Sequence, residues 1–385
     1  MFIEIPKEII TNTDNRSVVL TPELVVAIPD IDEAFKQVDK KFLDNPENYL
    51  SNIEDSVFTF HSSEGEDVAC SLLYGPMSKP DELLVIFAPF SDTAPKSQSS
   101  DIYGFVTSNI KNGLFVKEKA SPNSWSQSTK SAVIFELLEA LGKGMPVLTI
   151  YSPISTGAFS TLERKSIKNG DFTPVARITL EAIAAAQDRL HGPKSETQID
   201  KHNISGASLG SSNGIGAAEG LVRNGREVYT VTAQELILGP KNLRNLGKRF
   251  TTHGIVGAAS EENYSRDYPI IQEPAIRRTI DKKGSELFGT YSRVVKAMKP
   301  VYMKGLTKPE AIVRSVEYLL DNNVNLLAAI AENDAMSYQT RDYLPEGVDV
   351  VNLRGEKGQK LGHIVDEHVA LSALVVALNV MRGKG

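Results

Sequence analysis

The spacing of apolar positions along this chain changes in a regular order. From residue 56, "SVFTFHSS" and "EDVACSLLYG" alternate apolar and polar residues, which predicts two strands in an antiparallel pair. "ELLVIFAPF" is an unbroken apolar run of the length of a buried strand. Helical and strand spacing then take turns. "STKSAVIFELLEALGKG" predicts a helix that stops at glycine, "MPVLTIYSP" a strand, and "TPVARITLEAIAAAQDRLHG" an amphipathic helix opened by Thr173-Pro174 and closed by Gly192. "KHNISGAS", "SNGIGAAEGLVRNG" and "REVYTVTAQ" continue as strand, helix and strand.

The alternation lapses for about seventy residues and returns with "KPEAIVRSVEYLLDNN", "VNLLAAIAEND", "GVDVVNLRG" and "DEHVALSALVVALNVMRG". Strands that alternate with helices predict an α/β fold, a mostly parallel twisted sheet with helices on both faces. The lapse predicts an inserted, mainly helical cap. The expected organisation is an N-terminal extension over 1–55, a core over 56–238 and 309–385, and the cap over 239–308. The extension offers one helix, near 31–43, and no motif.

Charge sharpens the cap. Residues 241–308 hold 14 Lys and Arg against 6 Asp and Glu, although the whole chain has a formal net charge of −6. Two interpretations stand: solvated helices with basic side chains in water, or a cap that presents positive potential to an anionic substrate. An apolar content of 41% and a charged content of 23% are those of a globular protein. No apolar run approaches the roughly 20 residues of a membrane span, and no nucleic-acid module is recognisable. Glu4, Lys7 and Glu8 interrupt any secretory apolar core, so a cytoplasmic location is expected. The lone cysteine, Cys70, lies in a strand-like run and is expected to be a buried structural thiol; with no second cysteine, a cysteine-built metal site is excluded.

The chemistry concentrates in "HNISGASLGSSNGIGAA", residues 202–218. Gly206-Ala207-Ser208-Leu209-Gly210 fits G-x-S-x-G between an apolar strand and a helix, the context in which a serine is lifted on a sharp turn with its hydroxyl above the sheet edge. The same stretch is similar to the glycine-rich opening of short-chain dehydrogenases. Against a nicotinamide site stand the strands and helices that precede it, the departure from G-x-G-x-x-G, and the lack of any tyrosine after 208 followed by lysine four positions on. A serine that merely occupies a turn, in a binding protein without catalysis, is the remaining alternative.

A serine needs a base, and imidazole titrates near neutrality. His363, in "GQKLGHIVDEH", falls between the last predicted strand and the last helix; His368, inside that helix, is the second choice. Asp334 follows the apolar run of the preceding strand, with Glu332 in reserve; a cap for a helix starting at "AMSYQT" is its other role. Ser208, Asp334 and His363, in the order nucleophile, acid, histidine and each after a predicted strand, resemble the α/β-hydrolase fold superfamily over residues 56–385. The resemblance implies a serine hydrolase that cleaves an ester, thioester or amide through an acyl-enzyme, or an acyltransferase with the same triad. It implies a small-molecule acyl substrate and no cofactor or metal. It also implies an oxyanion hole from the amides of Leu209 and Phe90. Here Ala88-Pro89 replaces the His-Gly pair common before the second donor, and Pro89 has no N–H to offer.

Overall fold

The structure, a computed structural model, describes residues 57–75, 81–88, 142–151, 169–193, 198–238, 309–331, 337–353 and 369–383, together with positions 131, 134, 135, 137, 138 and 166. The extension with its expected helix at 31–43, the expected cap at 239–308, and Phe90, Glu332, Asp334, His363 and His368 lie outside the described residues.

The two alternating stretches form the expected hairpin, β1 (Val57–His61) and β2 (Asp67–Leu73), antiparallel with Phe58 opposite Cys70. Its turn is tied to the first long helix, α1 (Thr173–His191), where Arg177 donates to Glu64 at 2.5 Å and Glu181 accepts from the Ser63 amide at 3.1 Å. Helix α1 carries Pro174 in its first turn, where the missing N–H costs nothing, and stops at Gly192, whose φ of 86° few other residues adopt.

The remaining strands are β3 (Glu82–Phe87), β4 (Val147–Ile150), β5 (Lys201–Ala207), β6 (Glu227–Gln234), β7 (Asn325–Ala331) and β8 (Asp349–Leu353). Among them run α2 (Leu209–Arg223), α3 (Glu310–Asp321), a 3-10 turn at Tyr338–Asp342 and α4 (Val369–Arg382). One eight-stranded sheet results, ordered β1-β2-β4-β3-β5-β6-β7-β8. Strand β2 is antiparallel to β1 and β4, and every other pairing is parallel. The parallel strands therefore end on one edge, where crevices between loops receive ligands in open α/β sheets.

The two faces are covered differently. Leu83, Val85 and Phe87 of β3, Leu148 and Ile150 of β4 and Ile204 of β5 point to one face and join a single apolar core with residues of α1, α2 and α3. The opposite face meets α4 and the helical residues between 131 and 138, and carries buried Glu82, Thr149, Asn203, Ser205, Thr230 and Thr232. These polar groups bond to one another: Asn203 donates to Glu82 at 2.9 Å and accepts from Thr230 at 2.8 Å, Ser131 and Thr149 share a bond of 2.6 Å, and Asn379 of α4 donates to Thr232 at 2.9 Å.

A bulge maintains that division. The β5–β6 register slips between His202 and Asn203, so Val228 faces His202 while Thr230 faces Asn203, and Tyr229 is the extra residue. Strict alternation from Val228 would send Thr230 to the same side as Val228. The bulge instead returns Val231 and Ala233 to the apolar core beside Val228.

Candidate active site

Strand β5 lies in the middle of the parallel region, between β3 and β6. It ends at Ala207 and α2 begins at Leu209, so the whole strand-to-helix turn is one residue, Ser208, with φ 55° and ψ −117°. A side chain beyond glycine rarely occupies that region, and holding it there costs on the order of 1–3 kcal/mol. The surroundings impose it. The Ser208 amide donates to Gln234 O of β6 at 2.8 Å, and the Ser211 amide returns to Ser208 O at 3.1 Å.

The flanking glycines follow from the tightness of the turn. A Cβ on Gly206 would stand 2.2 Å from Gly210 O, and one on Gly210 would stand 2.4 Å from Phe87 O and 2.7 Å from Ala88 O. Backbone oxygen cannot yield as a flexible side chain can, so the close passage of β5, β3 and α2 requires glycine at both positions. The G-x-S-x-G match is thus a requirement of the backbone at an elbow on the carboxyl edge of the sheet. The later glycines of the stretch pack against protein: a Cβ on Gly214 would meet the Ile204 side chain at 3.3 Å, and one on Gly216 would meet Phe172 at 2.3 Å. That is helix packing rather than a phosphate cradle.

The chain has the α/β-hydrolase fold. Strand order, the antiparallel second strand and the one-residue elbow after β5 carry that assignment. No family profile and no curated protein matches the chain by sequence. Solved structures do resemble it in shape. An esterase of Pyrococcus furiosus is 14% identical with a TM-score of 0.44, over 89% of this chain and 96% of its own. A proline iminopeptidase of Mycobacterium smegmatis is 12% identical with a TM-score of 0.41, over 85% and 98%. A homoserine O-acetyltransferase of Staphylococcus aureus is 11% identical with a TM-score of 0.43, over 86% and 94%.

In this α/β-hydrolase fold the elbow stands at the amino end of α2, whose first amides have no acceptor within the helix and whose dipole presents its positive end there. The Leu209 amide is one of them. After β3, the Ala88 amide is already committed to Ile150 O at 3.0 Å, and Pro89 has no amide to give. Strands β5 to β8 are mutually parallel, with Gln234 opposite Ala329 and Ala331 opposite Leu353. Strands β7 and β8 therefore end, at Ala331 and Leu353, on the edge on which Ser208 sits.

Two other reactive side chains among the described residues are placed away from the elbow or silenced. Cys70 is fully buried in β2, and burial pushes its thiol far above the ordinary range, as expected of a structural cysteine. His202 sits at the opposite end of β5; burial, aided by the nearby Arg226 charge, outweighs the hydrogen bond to Glu227 O and pushes its pKa down to about 4. Among the described residues no group of three His, Cys, Asp or Glu is arranged to hold a metal, and no helix is long and apolar enough to cross a membrane.

Sequence patterns missed two residues of this edge. Glu235, directly after β6, is 2% exposed with φ 52°, and its amide fastens β6 to β7 through Ala329 O at 2.7 Å. The signal was a charge inside the apolar run "AQELILG". Ser211 is buried against the elbow itself, and its contacts are made to two different strands, which no local pattern reveals.

Proposed function

We propose that the chain is a serine hydrolase that cleaves an ester, thioester or amide of a small-molecule acyl substrate through an acyl-enzyme at Ser208. The observation that carries the proposal is the strained one-residue turn: a serine held at φ 55° between the carboxyl end of β5 and the amino end of α2 stands where acyl transfer needs its nucleophile.

In this proposal His363 takes the proton from Ser208 Oγ as the oxygen attacks the carbonyl carbon, and Asp334 holds the imidazole and offsets its charge. The amides of Leu209 and Phe90 receive the developing oxyanion, worth a few kcal/mol in a water-poor site. The leaving group departs with the proton from His363. Water then attacks the acyl-enzyme, losing its proton to His363, and Ser208 is restored. The parallel run of β5, β7 and β8 supports the triad, because β7 and β8, which precede Asp334 and His363 in the sequence, end on the edge that holds Ser208. The basic balance of 241–308 supports an anionic acyl donor.

Steady-state hydrolysis of a panel of p-nitrophenyl esters tests the proposal. Ser208→Ala is expected to lower kcat by roughly 10³-fold or more with the fold retained. An unchanged rate contradicts the role of Ser208.

A further inference from the structure

A second hydroxyl is built into the elbow. Ser211, in the first turn of α2, is 1% exposed. Its Oγ lies 2.8 Å from Gly206 O and 2.7 Å from Gln234 O, and its amide donates to Ser208 O at 3.1 Å. A serine inside a helix ordinarily returns its hydroxyl to a carbonyl three or four residues back in the same helix. Here one acceptor, Gly206, still belongs to β5, and the other, Gln234, belongs to β6. The bond therefore adds nothing to the helix as such.

Gln234 O is also the acceptor of the Ser208 amide at 2.8 Å. One carbonyl thus receives both the amide of the strained residue and the hydroxyl that follows it by three positions. The single hydroxyl proton is shared between the Gly206 and Gln234 oxygens as a three-centre bond, and it closes a bracket around Ser208 from β5 to β6.

We infer that Ser211 is a positioning residue: by bridging the Gly206 and Gln234 carbonyls it holds Ser208 in its strained conformation, and so fixes the direction of the Ser208 hydroxyl and of the Leu209 amide behind it. The inference rests on Ser208 as the nucleophile. Without the bridge, the glycine contacts and the apolar core still form the turn, but the serine relaxes toward ordinary backbone angles. The rate of attack then falls while binding of the acyl group does not.

The test uses the full-length chain and an alkyl fluorophosphonate. In the labelling step a bond forms between Ser208 Oγ and phosphorus, the P–F bond breaks, fluoride leaves, and the hydroxyl proton passes to the base. The second-order labelling rate is measured for the wild type, Ser211→Ala, Ser211→Cys and Ser315→Ala, each with its Tm. Ser315 is a comparably buried serine whose hydroxyl donates to Glu219 at 2.6 Å, far from the elbow, and it serves as the control for a merely structural bond. Ser211→Ala is expected to label at least roughly tenfold more slowly, with a KM on any ester substrate within about twofold of the wild type. Ser211→Cys, which keeps the volume and a weak donor, is expected to fall between, and Ser315→Ala to lose some Tm at an unchanged rate. Should Ser211→Ala fail to fold, the Ser211→Cys rate decides. Equal rates for wild type and Ser211 variants, or an equal slowing in Ser315→Ala, overturn the inference and leave the proposed nucleophile standing. A wild-type adduct at a residue other than 208 overturns the proposed nucleophile itself.

Discussion

The face of the sheet under α1, α2 and α3 and the face under α4 are both buried by apolar side chains, and the second carries a network of buried hydrogen bonds as well. The first is continuous apolar packing, drawn tight by glycines: a Cβ on Gly220 would stand 2.1 Å from the Ala176 Cβ of α1. The second is threaded by hydrogen bonds that run from Glu82 through Asn203 to Thr230, with Asn379 of α4 bonding Thr232. Apolar packing has no direction, so it brings elements close without fixing their register. A buried hydrogen bond is directional and costly to leave unmade, so it fixes which residue stands opposite which. Helix α2, which bears the elbow at its amino end, lies on the close-packed face, and the strands that set the position of Gln234 are registered from the other.

The largest effect is expected where close packing is broken. Glycine to alanine inside a helix ordinarily stabilises by about 1 kcal/mol. Gly220→Ala is expected instead to destabilise by about 3 kcal/mol, because α1 and α2 must move apart; a rise in the urea midpoint would show that the helices do not touch there. On the polar face, Asn203→Leu is expected to cost about 2 kcal/mol by removing the amide that serves Glu82 and the oxygen that serves Thr230. The double variant Glu82→Leu/Asn203→Leu is expected to recover part of that loss. Additive losses in the double-mutant cycle would mean that the two side chains do not interact.

The smallest effect at neutral pH comes from His202. Its pKa in the fold, about 4, lies below the ordinary 6.5, so the unfolded chain takes up the proton first. The stability it contributes is complete above the ordinary value and is lost as pH falls from there through about 4. Its Nε2 is buried, which raises the cost of charging the ring. Replacing it with asparagine is expected to flatten this slope and to lower the midpoint of acid unfolding by about half a pH unit. An identical acid profile in the two proteins would show that the imidazole is not buried as described.

The same contrast explains what the sequence disclosed. Unbroken apolar runs such as Leu83–Phe87 and the alternating hairpin around Cys70 announce strands because burial acts on each residue in turn. The elbow was legible for a related reason, since the turn at Ser208 demands glycine two positions to either side. The polar face was not. Asn203 and Thr230 look like exposed alternates of half-buried strands, and only tertiary pairing shows them fully buried. The bulge at Tyr229 shifts the alternation by one residue without a local signal. The Ser211 bridge depends on two carbonyls brought from separate strands.

The central claim is that the hydroxyl raised at the carboxyl end of β5 is an activated nucleophile. Mass-spectrometric mapping of the fluorophosphonate adduct on the intact protein tests it most directly. The account predicts a single phosphonylated peptide modified at Ser208, lost in Ser208→Ala and in His363→Ala. A protein that stays unlabelled at neutral pH, or one labelled equally after either substitution, would contradict it.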